Sequence, residues 1–114
     1  MQHPYSMTDS ETRDCIAEMV RRVVLEFDPL KVILFGSHAR GEAGRDSDVD
    51  LLVVLPEVAN KRDAAVRIRR ALADSPLPKD IVVTTPEEIE RRGDVIGTVL
   101  RPALREGRVV YEHP

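Results

Sequence analysis

Two carboxylates one residue apart, Asp48 and Asp50, open the otherwise oily run "DVDLLVVL", and ten residues separate them from the pair Gly36-Ser37. On a strand, alternate side chains share a face, so Asp48 and Asp50 fall on one side and Val49, Leu51 and Val53 on the other. Carboxylates held that close repel, and burying either one unpaired is costly. A divalent cation that prefers hard oxygen ligands, Mg²⁺, removes both objections. Gly36-Ser37 follows the oily segment "KVILF" at a point where a helical turn can begin. Backbone N–H groups there, unobstructed by a side chain at Gly36 and joined by the Ser37 hydroxyl, make a phosphate cradle. Phosphate at one end and metal at the other describe a nucleoside-triphosphate site.

Each part alone is weak. A bare Asp-x-Asp is common, Ser47-Asp48 alone reads as a turn, and Gly-Ser after a strand is ordinarily just a turn. The glycine spacing is neither the P-loop nor the dinucleotide fingerprint. The joint pattern of strand, Gly-Ser, ten residues, Asp-x-Asp and oily strand is specific. Arg40 and Arg45 lie within it, free to reach phosphate or to pair with a neighbouring acid such as Glu42 or Asp46. His38 sits in the same turn.

The elements that must hold these residues are legible from periodicity. Thr8 with Glu11 has capping-box spacing, ahead of Ile16, Met19, Val20, Val23, Val24 and Phe27 at helical intervals, and Asp28-Pro29 closes that helix. "KVILF" (31–35) and "DVDLLVVL" (48–55) read as strands, the second stopped by Pro56. Residues 60–74 form a helix with Ala64, Ala65, Ile68, Ala71 and Leu72 on one face. Lys61, Arg62, Arg67, Arg69 and Arg70 decorate the rest, as a solvated face or a partner surface. "DIVVTT" (80–85) is a third strand, and Thr85-Pro86-Glu87-Glu88 caps a further helix. "DVIGTVLRPALREG" (94–107) continues as helix with a disturbance near Gly97 or Pro102, and "RVVYE" (108–112) is a fourth strand. Val95, Ile96, Val99, Leu100, Ala103 and Leu104 either complete the core or expose an apolar surface to a partner. The expected order is α-β-β-α-β-α-β, within one domain spanning 1–114 and a flexible start over residues 1–9.

Composition bounds the rest. The chain has 114 residues, 32% of them charged and 42% hydrophobic, an ordinary globular balance. A net charge of −3 argues against stable nucleic-acid binding as the main task. No apolar run reaches membrane-spanning length and no signal peptide is visible, so the expected setting is cytoplasmic. The lone cysteine, Cys15, reads as a structural thiol.

"GSHARGEAGRDSDVD" resembles the signature of the DNA polymerase β-like nucleotidyltransferase superfamily, in particular its minimal nucleotidyltransferases, over a span from residue 10 to the end. The resemblance implies an α/β (α+β) nucleotidyltransferase fold, a small mixed sheet of about four strands with packed helices. It implies that Gly36 and Ser37 hold the triphosphate and that Asp48 and Asp50 bind Mg²⁺. Asp80, heading "DIVVTT", takes the place of the family's third acid, a metal ligand or base. Two Mg²⁺ ions and ATP as donor follow by the same resemblance. Larger relatives carry a helical acceptor domain that is not in this sequence, so the expected acceptor is small or is presented by another protein. Minimal members are typically antitoxins of HEPN-domain toxins, and the leading expectation is such a hetero-oligomeric pair, with AMP transferred to a hydroxyl of the toxin. The alternatives are a non-catalytic antitoxin acting by contact, or a small-molecule nucleotidyltransferase whose acceptor site a partner subunit completes.

Overall fold

The computed structural model describes residues 8–44, 47–95 and 97–114. Helix α1 (Asp9–Phe27) starts at the expected box: Glu11 N donates to Thr8 Oγ1 at 3.1 Å and Thr8 N donates to Glu11 Oε1 at 3.0 Å. It ends at Asp28, whose left-handed backbone (φ 47°) turns the chain ahead of Pro29. The expectation of a flexible start lies, up to residue 7, outside the described residues; Thr8 and Asp9 belong to the capped helix.

Four strands follow in the expected places: β1 (Lys31–Phe35), β2 (Val49–Val54), β3 (Lys79–Thr84) and β4 (Arg108–Glu112). They form a mixed sheet in the order β3-β2-β1-β4, with β1 antiparallel to both neighbours and β2 parallel to β3. The parallel pair needs a crossover, which α3 (Lys61–Ala71) supplies, capped by the Asn60 side chain accepting from Asp63 N.

The strands alternate as their sequence demands. Val32, Leu34, Val49, Leu51, Val53, Ile81 and Val83 pack on one face against Met19, Val20 and Val23 of α1, Ile68 of α3 and Leu72 at the C-cap of α3. Half-buried Cys15 packs against this core, its Sγ 3.3 Å from Ser75 Oγ. Ile33, Phe35 and Leu52 face the other way, against Leu100 and Ala103. Asp50 has the parity of Leu52, so it emerges on this second face, away from α1 and α3.

Two details differ from expectation. A one-turn helix, α2 (Ser37–Arg40), stands between β1 and β2, and the last interval holds two helices, α4 (Pro86–Arg92) and α5 (Leu100–Glu106). The first of these ends at Arg92, capped by Gly93; Gly97, with a φ of +93°, lies outside the helical region within the break, and helix resumes only at Leu100. The apolar residues of this stretch are accordingly divided. Leu100 and Ala103 are buried, Leu104 packs at the edge, and Val95 and Val99 stay 43% and 46% exposed; Ile96 lies outside the described residues. No helix among the described residues is long and apolar enough to cross a membrane.

Gly107 joins α5 to β4 at a point where a Cβ would collide with Ala103 O and Ile33 Cγ2 and crowd Leu34 O. Gly107→Ala should therefore lower unfolding free energy by about 1–3 kcal/mol, the usual cost of overpacking. Urea denaturation measures this, and an unchanged midpoint would show that the junction relaxes freely.

Candidate active site

Strand β1 delivers the chain to Gly36, whose φ of 74° and ψ of −156° suit glycine alone. Its carbonyl accepts from Ala39 N (3.1 Å) and Arg40 N (3.2 Å), winding α2. The N–H groups of Ser37 and His38 precede these donors and have no helical acceptor. The loop beyond is tied back on itself. Glu42 N donates to Ser37 O at 2.9 Å, Gly44 N donates to Ser47 Oγ at 2.8 Å, and His38 Nε2 donates to Ser47 O at 3.2 Å.

Asp50 pairs with Phe35 across the antiparallel ladder, which sets its carboxylate beside the next residue, Gly36. A Cβ on Gly36 would overlap Asp50 Oδ2. Gly36 is thus required twice, by backbone sign and by the approach of a carboxylate. On the other side, Val49 N donates to Pro78 O at 2.8 Å and fixes the parallel register, which sets Asp50 opposite Asp80. Paired residues on neighbouring strands project from the same face. Asp48 stands just before β2, exposed.

Electrostatics reports the same gathering. Burial pushes the Asp50 carboxyl above its ordinary value, and the charges of Asp80 and then Asp48 push it further; His38 and Arg40 oppose the rise. Among the described residues, no three acids or histidines converge as a ready-made metal cage. A hard divalent ion does not need one: Mg²⁺ commonly takes one or two carboxylates and completes its shell with phosphate oxygens and water. The donor set here fits that habit, with an oxygen-only, mutually repelling cluster whose central member touches the turn that bares backbone N–H groups.

The sequence-derived residues sort unevenly. Gly36, Asp48, Asp50 and Asp80 share one end of the sheet, with Ser37 next to Gly36 at the start of α2. Arg40 pairs with Glu42, Nε to Oε1 at 2.8 Å, the neighbouring-acid alternative, while its charge still reaches Asp50. Arg45 lies outside the described residues. Sequence reasoning missed Arg69, whose Nη2 comes within 3.8 Å of Asp80 Oδ1, and the brace from His38 to Ser47. Nothing in local spacing signals either contact, because both depend on tertiary return of the chain. A cleft of about 840 Å³ opens between α1 and the loop that His38 braces, lined by Ile16, Val20, Leu34, His38, Gly44 and Ser47 among others, with none of the three acids in its lining. Leu34 and Val20 belong to the α1 face, opposite the acids, so that cleft is distinct from the carboxylate cluster.

The raised Asp50 carboxyl carries a sign. Its unfolded value is near 3.8, so the metal-free protein is destabilised by this group above its raised folded value and relieved as pH falls through that value. Asp50→Asn should raise the Tm of the metal-free protein at pH 7 by a few degrees, and the gain should shrink as pH is lowered toward 4. Thermal melts in chelator across pH check this; a Tm gain that does not depend on pH would remove the electrostatic explanation.

Comparison with known proteins places the chain in a family. The nucleotidyltransferase domain family matches residues 16–110. A bifunctional uridylyltransferase/uridylyl-removing enzyme of Bordetella pertussis (strain Tohama I) is 35% identical over 116 aligned positions that cover 94% of this chain. The chain spans only 13% of that enzyme's length. A solved structure described as a minimal nucleotidyltransferase is 31% identical, with TM-score 0.55, and the match covers 90% of this chain and 97% of that one. A toxin–antitoxin structure with AMP-PNP shares the fold at TM-score 0.54 and 19% identity, covering 85% of this chain and 73% of that one. With the profile spanning most of its length and a minimal nucleotidyltransferase among its relatives, the chain belongs to the nucleotidyltransferase domain family.

Proposed function

We propose that this nucleotidyltransferase moves AMP from Mg·ATP to a hydroxyl of a partner protein, and that the partner is a HEPN-domain toxin it neutralises. The observation that carries the reading is the seat of Asp50, against the Gly36 turn on one side and opposite Asp80 on the other. Gly36 and Ser37 would bind the triphosphate through backbone N–H groups and the Ser37 hydroxyl, bringing the α-phosphorus over the acids. Asp48 and Asp50 would hold the metal, and Asp80 would join as a further ligand or as base. Mg²⁺, bound as one ion or two, would offset the triphosphate charge and ease ionisation of the acceptor hydroxyl.

In the transfer, the acceptor oxygen forms a bond to the α-phosphorus as the bond from that phosphorus to the β-bridging oxygen breaks. Pyrophosphate leaves with the electron pair, and the hydroxyl proton passes to Asp80 or to water. Asp80 is exposed beside Asp50, which suits an acceptor arriving from outside the sheet. The fold shared with a toxin–antitoxin structure containing AMP-PNP supports a toxin as partner and an adenine nucleotide as donor, while the HEPN identity of that toxin rests on the sequence resemblance. The uridylyltransferase relative makes UTP the donor to compare.

The test is incubation of the protein and a co-expressed HEPN partner with Mg²⁺ and either ATP or UTP, read by intact mass. The reading expects whole AMP units on the partner with ATP, and a loss of about 10²-fold or more in rate for Asp48→Asn and Asp50→Asn. A complex that forms with wild type and mutant alike, and never gains mass, would make the chain a blocking antitoxin. UMP in place of AMP would correct the donor alone.

A further inference from the structure

Arg69 follows Ile68, which is fully buried against the sheet, and precedes Leu72, buried likewise, so α3 cannot roll without losing both anchors. That fixed pose brings the last turn of α3 to the beginning of β3. There the Arg69 guanidinium stands 3.8 Å from Asp80 Oδ1, both side chains about half exposed, at 54% and 56%. β3 is an outer strand of the sheet, so no further strand separates this pair from solvent. Asp80 is opposite Asp50, and its charge is the larger of the two that Asp50 feels from neighbouring acids. One guanidinium therefore offsets the acid that most disturbs the centre of the cluster.

We propose that Arg69 is the resident counter-cation of Asp80, holding the third carboxylate in the metal-free protein and competing with a divalent ion for it. The inference rests on the metal reading of Asp48, Asp50 and Asp80 given above. A carboxylate engaged by a guanidinium is a poorer ligand, because the incoming ion must displace a partner first. The pair is exposed and separated by 3.8 Å, so the hold is weak enough to release. Asp48 and Asp50 would then load first, and Asp80 would join only when metal and triphosphate together outcompete Arg69. In that role Arg69 is a positioning residue: it sets when the third acid becomes available and does not touch the reacting atoms.

Mn²⁺ binding, followed by the free-ion electron paramagnetic resonance signal, tests this without reference to activity. Arg69→Gln should bind Mn²⁺ about two- to fivefold more tightly than wild type, the range an exposed ion pair supports. Arg69→Lys should stay close to wild type. The gain should vanish in Arg69→Gln/Asp80→Asn when compared with Asp80→Asn alone. Arg70→Gln, which removes the neighbouring charge, controls for a general field effect and should tighten binding less. Unchanged affinity in Arg69→Gln, a gain that persists without Asp80, or an equal gain in Arg70→Gln would each overturn the proposal while leaving the metal site standing. A wild-type protein that binds no Mn²⁺ would remove the metal reading and this inference with it.

Discussion

The parallel register of β2 on β3 is the constraint on which the rest depends, because it sets two carboxylates, Asp50 and Asp80, side by side on one face. Like charges directly opposite on neighbouring strands weaken a sheet. Here Asp48 adds a third negative charge at the same end. Such an arrangement persists in a fold only where the surrounding structure over-determines it. The β2–β3 pairing is held by Leu51, Val53, Ile81 and Val83, all buried under α1 and α3. A slip of one residue would turn those apolar side chains to the wrong face, so the hydrophobic face enforces the electrostatic cost on the other.

The neighbouring devices make sense as responses to that cost. Gly36 gives the Asp50 carboxylate space against backbone, where any other residue would intrude. His38 and Arg40 bring positive charge within reach of Asp50, and Arg69 does so for Asp80. None of them covers the acids, and α5 packs on Ile33, Phe35 and Leu52. The cluster is repelling, partly desolvated and still accessible from outside, as suits a site that holds cations together with a polyphosphate.

Much of this was legible in the sequence, for physical reasons that can be named. The strands are contiguous oily runs, and α1 is bounded by a capping box and by Asp-Pro, so these elements carry their own local signals. The facing of Asp48 and Asp50 away from Val49, Leu51 and Val53 follows from strand alternation, and the structure agrees for Asp50. Gly36 was identified for the phosphate turn, while its second duty toward Asp50 needed the β1–β2 register. Asp80 was assigned by family resemblance; its place opposite Asp50 depends on a bond from Val49 N to Pro78 O that no local pattern encodes. The disturbance expected near Gly97 or Pro102 is real at Gly97, whose φ is positive, but the break is wider than one residue, because α4 ends already at Arg92 and Gly93. Arg69 read as one charge among several on a helix face, because only the crossover geometry of α3 distinguishes it from Arg67 and Arg70.

The central claim is that the Gly36 turn and the three acids form one site for metal and triphosphate. Crystals grown with Mn²⁺ and a non-hydrolysable ATP analogue test it most directly, through the anomalous signal of the metal. The account predicts manganese bound by Asp48 and Asp50, with analogue phosphates on the backbone N–H groups after Gly36. Metal bound elsewhere, or a nucleotide seated in the cleft beside α1 with its phosphates away from Gly36 and Ser37, would contradict it.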